Sequence, residues 1–227
     1  LLEYNQKAFM SNSPSIIKNC MMIITNFFCA NQSLMLDQLP MIIDFILKSI
    51  KNQDFTPDFY PEVTKNLSYI INAISDNDFE FFDADIRDSM FEIYKSMATL
   101  PLDFNDKSGI EFANSVLEAT FFGFARILSF SKKEPNSPFL ISRDVARVIN
   151  QPTIVFTKDF KDLTDISNNT LLAFLEMIYF EIKCLARNLG PLIKTRLHDK
   201  LIILAQASTN DELRKKAYKV WDEYNQV

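Results

Sequence analysis

Glycine is nearly absent from this chain, at 3 of 227 residues: Gly109, Gly123 and Gly190. Tight hairpins need residues at positive φ, and phosphate-cradling loops need a close backbone approach. With its glycines scattered, the chain holds neither a Gly-x-x-x-x-Gly-Lys loop nor a Gly-x-Gly-x-x-Gly fingerprint. A hairpin-rich sheet is disfavoured on the same ground. Helices joined by short polar corners have no such need, and the apolar residues follow helical spacing along most of the chain.

Ser13-Pro14 reads as the start of a helix running to Ala30, with Ser13 as N-cap and Pro14 in the first turn. Its expected buried set is Ile16, Ile17, Cys20, Ile23, Ile24 and Phe27. After the corner Asn31-Gln32-Ser33, the stretch from Leu34 to Ile50 carries Leu36, Leu39, Ile42, Ile43 and Ile46 at spacings of three and four. Pro40 either kinks that helix or opens a new one. Pro61–Ser75 repeats the pattern with Val63, Leu67, Ile70, Ile71 and Ile74. A further helix follows with Phe82, Ile86, Met90, Ile93, Tyr94 and Met97. Ser108–Phe130 is a third round, built on Phe112, Val116, Leu117, Phe121, Phe124, Ile127 and Leu128. Asn168–Asn188, Pro191–Ala207 and Asn210–Asn225 read as three closing helices. Gly190-Pro191 supplies a stop and a start, and Thr209 with Glu212 makes a capping-box pattern.

Two rounds can be laid over one another. Ile24-Thr25-Asn26 recurs as Ile70-Ile71-Asn72, and Leu39, Ile42, Ile43 and Ile46 recur as Ile86, Ser89, Met90 and Ile93. A helix-pair unit repeating every ~40–47 residues is the signature of armadillo and HEAT arrays. One such unit cannot bury its own apolar face, so neighbours must stack. The third round drifts to a longer shift through an insertion around Asp103–Lys107.

The chain thus resembles an armadillo/HEAT-type solenoid. The resemblance is carried by Leu39-Pro40-Met41-Ile42-Ile43-Asp44-Phe45-Ile46-Leu47, by Ile23-Ile24-Thr25-Asn26-Phe27, and by Glu62–Ser75 followed by a new helix. It implies an all-α fold, a right-handed α-solenoid of stacked helix pairs with about 9–11 helices. The expected organisation is a single helical-repeat domain over 1–227 with an irregular stretch near 131–165. The chain begins at Leu1 without a Met, and is read as an excerpt of a longer protein. In this family a groove binds extended peptides or partner helices, and its best-known version clamps peptide backbone with paired Trp and Asn. Asn26 and Asn72 are similar to those asparagines. The Trp partner is missing: Met22 and Ser68 stand four residues before them, and the sole Trp, Trp221, lies in the final helix. A general protein-binding groove is therefore implied rather than a nuclear-signal site. Capping of carbonyls, or bridging of neighbouring repeats, is the structural alternative for both asparagines.

Charge adds a second set of candidates. The net charge is −5, which speaks against a general nucleic-acid binder. Acids crowd into Asp76, Asp78, Glu80, Asp83, Asp85 and Asp88, whereas Lys183–Lys219 leans basic. As a calcium loop the acidic span fails, because Phe81 stands where the Gly belongs and Arg87 where the bidentate Glu belongs. It reads as a solvated corner favouring the next helix N-terminus. Arg126, Lys183, Arg187, Lys194 and Arg196, with Asn26 and Asn72, are the candidate partner-binding residues. Three scattered cysteines, Cys20, Cys29 and Cys184, read as buried reduced thiols. With them, the lone His198 supplies neither a zinc set nor a triad. No apolar run reaches the ~20 residues of a membrane span. The reading is a cytoplasmic (alternatively nuclear) scaffold or adaptor, with no catalytic residue, metal or cofactor and with a protein, peptide or helix as partner. The alternatives are a helical enzyme or small-molecule binder with its site between helices, and an enzyme's regulatory subunit.

Overall fold

The computed structural model describes residue 7 and residues 13–31, 36–44, 59–73, 84–131, 147–153, 165–185 and 191–226. Among the described residues every regular element is helical. The main helices are α1 (Pro14–Ala30), α2 (Tyr60–Ala73), α3 (Ala84–Ala98), α4 (Lys107–Ser131), α5 (Asn168–Leu185), α6 (Pro191–Ala207) and α7 (Asp211–Asn225). A 3-10 turn at Leu36–Gln38 runs into helical 39–44, which places Pro40 in a helix's opening turn. Of the stretch expected to be irregular, 147–153 is helical and most of the remainder lies outside the described residues. The chain divides into two compact units, Leu1–Leu100 and Pro101–Val227.

In the first unit α1 packs along α2, and α2 meets α3. Lys18, in the second turn of α1, pairs with Glu62, in the first turn of α2, at 2.7 Å. That sets the N-terminal turns of the two helices side by side, as same-direction packing requires. The core gathers Ile17, Met21, Ile24 and Phe28 from α1, Val63, Leu67 and Ile70 from α2, and Met90, Ile93, Tyr94 and Met97 from α3. The expected faces of α2 and α3 agree where described, but that of α1 does not. Ile16, Ile23 and Phe27 are exposed, at 44%, 46% and 38%, while Met21, Thr25 and Phe28 are buried. The reason is compositional: α1 is apolar on nearly every side, so periodicity alone selects no face. Its single charge, Lys18, is held by Glu62. Cys29 is likewise exposed, whereas Cys20 is buried as expected.

The second unit is built on helices that run the same way. Thr170 Oγ1 donates to the Asn114 carbonyl at 3.3 Å, the Phe121 and Phe174 rings meet edge to face at 5.4 Å, and Cys184 Sγ donates to the Leu128 carbonyl at 3.6 Å. Rising numbers on α4 meet rising numbers on α5, so the two are parallel. A second ladder joins α5 to α7: Glu176 with Lys216, Tyr179 under Lys219, and Lys183 with Glu223. Each of these pairs is separated by 40 residues (176 to 216, 179 to 219, 183 to 223), so α5 and α7 are also parallel. Between them α6 runs back. Three residues, 208–210, link it to α7, and the His198 ring lies 6.2 Å from that of Tyr224, the geometry of an antiparallel helical hairpin. Asn210, not Thr209, caps α7, its Oδ1 accepting from the Glu212 and Leu213 amides.

Gly123 is buried in α4, and Gly109 lies in that helix's first turn. A Cβ on Gly109 would stand 2.7 Å from the backbone oxygen of Asp103. Alanine in a helix ordinarily gains about 1 kcal/mol over glycine. Here the clash is with backbone that cannot swing aside, so the sign reverses. Gly109→Ala is expected to destabilise the chain by roughly 1–3 kcal/mol in urea unfolding, and an unchanged or raised midpoint contradicts this packing. Phe121→Ala, which empties the centre of the α4–α5 contact, is expected to cost about 3–5 kcal/mol.

Candidate functional site

The N-terminal turns of α4 and α5 border an open groove of about 700 Å³ in the second unit. Both helices begin at side-chain caps. Asp106 Oδ1 accepts from the Gly109 amide at 2.7 Å, and Ser167 Oγ accepts from the Thr170 amide at 3.1 Å. Asn114, two turns into α4, ties the caps together. Its Nδ2 donates to the Asp165 carbonyl at 3.0 Å and to Ile110 at 2.9 Å, while its Oδ1 accepts from the Ser167 amide at 2.9 Å. The groove wall is therefore held by hydrogen bonds of one amide whose donors and acceptor are all matched.

The lining is acidic. Asp106, Glu111, Glu118 and Asp165 face one ammonium, Lys107, which stands 3.8 Å from Glu111 with both side chains largely in solvent. Glu118 lines the groove although it is only 5% exposed. Carboxylates here complement the positive ends of two parallel helices and make the lining rich in acceptors. The hydroxyls on hand are committed to local bonds, Ser115 Oγ to the Glu111 carbonyl and Ser167 to its cap. A wall of this composition can accept hydrogen bonds from amide and ammonium donors. Among the described residues no three His, Cys, Asp or Glu side chains converge on a metal position. No described helix is long and apolar enough to cross a membrane.

The candidates read from the sequence fall elsewhere. Asn26 is exposed on α1, among the exposed Met22, Ile23 and Phe27. Asn72 lies in the last turn of α2, its side chain outside the described set, as are those of Lys194 and Arg196 in the opening turns of α6. Arg187 is outside the described residues altogether. Arg126, half-buried on α4, places its guanidinium 4.8 Å from the centre of the Phe130 ring. Lys183 is paired with Glu223, and that hydrogen bond holds its ammonium above the ordinary lysine range. Lys216 and Arg214 are paired as well, with Glu176 and Asp211, so much of the basic stretch serves the α5–α7 seam and its helix ends. Of the acidic span, Asp85 and Asp88 are exposed on α3, Arg87 is buried, and 76–83 lie outside the described residues. His198 stands beside Asp199, its side chain 41% exposed.

Sequence reasoning did not single out Asn114, Ser167 or Glu118. The available signals were Asp106 and Ser167, each three residues ahead of the amide it caps, and the polar insertion that precedes α4. Asn114 pairs across a separation of more than fifty residues, which no local pattern encodes. No family model, no curated protein and no solved structure matches this chain.

Asn114→Ala is expected to cost about 1–3 kcal/mol, because it strands the Ser167 amide and the Asp165 carbonyl. Asn114→Asp keeps the acceptor but has a donor only while protonated, so it should fall between alanine and wild type at low pH and match or exceed the alanine loss at neutral pH, where its carboxylate faces the Asp165 carbonyl. Thermal melts at the two pH values check this, and equal stability of all three proteins would remove Asn114 from the groove's support.

Proposed function

We propose that the chain is a non-catalytic protein-binding scaffold or adaptor of armadillo/HEAT type, a right-handed α-solenoid in which like-directed helices stack and return helices alternate with them. The observation that carries this reading is the ladder of 40-residue steps between α5 and α7, with α6 running back between them. Helix-pair arrays generate that relation, since each unit shelters the apolar side of the next. The α4–α5 pairs, at separations of 53 and 56 (121 to 174, 114 to 170), repeat the relation with a longer crossover. The Lys18–Glu62 pair is consistent with it in the first unit. Two surfaces fit a polypeptide partner: the uncharged side of α1 around Met22, Ile23, Asn26 and Phe27, and the acidic groove. Three free cysteines fit a reducing, cytoplasmic setting.

A second reading, a small-molecule binder between helices, is favoured by the groove's size, which falls within the ~300–1,000 Å³ range of ligand sites. One experiment separates the two. The full chain serves as bait in quantitative cross-linking, beside Ile23→Asp/Phe27→Asp on α1 and Glu111→Lys/Asp165→Lys in the groove. A scaffold should recover a reproducible protein partner whose yield falls at least about tenfold, equivalent to 1.4 kcal/mol, for one double variant with unchanged helical circular dichroism. Recovery that ignores both surfaces would count against the proposal. A melting shift of several degrees with divalent cations, nucleotides or prenyl diphosphates would replace it with the second reading.

A further inference from the structure

Glu181 lies on α5 with none of its surface exposed, and neither carboxylate oxygen has a hydrogen-bond partner among the described residues. It follows Phe174 by seven residues and precedes Cys184 by three, so it shares the side of the helix that meets α4. By the register of the α4–α5 pairs, its level on α4 is 125–128, where Ala125, Ile127 and Leu128 are fully buried. Among the described residues, the charged and titratable groups near this level have the following contacts. Arg126 of α4 lies over the Phe130 ring, and on α7 Glu223 pairs with Lys183 and Lys219 lies over Tyr179. On α5 itself the Cys184 thiol donates to Leu128. Asp222 of α7 is exposed, and the Tyr224 phenol is raised by burial. The indole N–H of Trp221, also buried and without a partner, makes no bond to the carboxylate.

An ionised carboxylate in such a place is cut off from bulk solvent and pairs with no cation among the described residues, so little offsets its loss of hydration. We propose that the α4–α5 contact is a proton-held latch, closed while Glu181 is a neutral carboxylic acid and loosened when that proton leaves. Burial pushes this carboxyl up from 4.5 to about 8. The folded state therefore holds the proton more tightly than the opened state does. The contact is tightest below about pH 4.5, weakens as pH rises through the interval to about 8, and changes no further above it. Within that interval the opening constant should rise about tenfold per pH unit. The latch stands on α4 and α5 alone and does not depend on the scaffold reading.

Amide hydrogen exchange of the full chain tests it, with protection factors corrected for intrinsic pH dependence at pH 5.5, 6.5 and 7.5. Protection in α4 and α5 should fall about tenfold per unit, while that in α1 to α3 stays level. Glu181→Met, apolar and of similar length, should abolish the slope and leave α4 and α5 more protected at pH 7.5. A flat wild-type profile, or a slope that survives in Glu181→Met, overturns the latch. Carboxyl-carbon NMR of the wild-type chain gives a readout independent of any variant. Titration of Glu181 near 8 supports the proposal, and titration near 4.5 overturns it.

Discussion

Everything in the second unit rests on two neighbouring helices pointing the same way. Parallel helices cannot be joined by a short turn: the chain must travel back the length of a helix before it can start the next. Between α5 and α7 the return is α6, and the round trip takes 40 residues. Between α4 and α5 it is longer, because the segment after Ser131 supplies the crossover. The core follows from this. With Phe121 seated against Phe174 and Leu128 beside Cys184, α4 is buried around much of its circumference, which is why fourteen of its 25 residues are buried and why Ala119, Gly123 and Ala125 alternate with phenylalanines. Small residues admit the neighbouring helices and aromatic ones fill what is left.

Parallel packing also brings helix ends of one sign together. The starts of α4 and α5 lie side by side, each with unsatisfied amides and a partial positive charge. The chain answers with caps from Asp106 and Ser167 and with carboxylates along the groove. Asn114 fits this place because one primary amide both donates to the Asp165 carbonyl and accepts from the Ser167 amide. The acidity of the groove is thus first a consequence of how the helices are directed. The fold has to build this surface whether or not a partner uses it.

How much of this was legible in the sequence depended on whether the deciding force was local. Helix positions were legible, since α4 falls within one residue of the expected Ser108–Phe130 and α6 matches Pro191–Ala207. Where polar residues flank an apolar stripe, the core side was legible too: Ile86, Met90, Ile93, Tyr94 and Met97 of α3 are all buried as expected. On α1 it was not, because apolar residues surround the helix and only the position of α2 decides between Ile23 and Met21. The cap of α7 was misplaced by one residue, since Thr209 and Asn210 are both cap formers and local geometry selects Asn210. The groove was illegible for a different reason: its key bonds join residues more than fifty positions apart.

The basic C-terminal stretch shows why charge read along a chain says little until pairing is known. Lys183, Arg214 and Lys216 are drawn as a positive run in the sequence, yet each meets a carboxylate, from Glu223, Asp211 and Glu176. Lys183 and Lys219 also lie over the Tyr179 ring, at 5.8 and 4.6 Å. Partly exposed pairs of this kind add little stability singly. Spaced along one seam at a fixed separation, they instead discriminate register: sliding α7 by one turn along α5 would set Lys216 against Phe180 rather than Glu176. The apolar contacts hold the helices together, and the charges determine which residues face each other. A partner seeking a broad positive surface would find much of this stretch already occupied by the chain itself, whereas the uncharged side of α1 and the acidic groove keep exposed groups with which a partner can make contact.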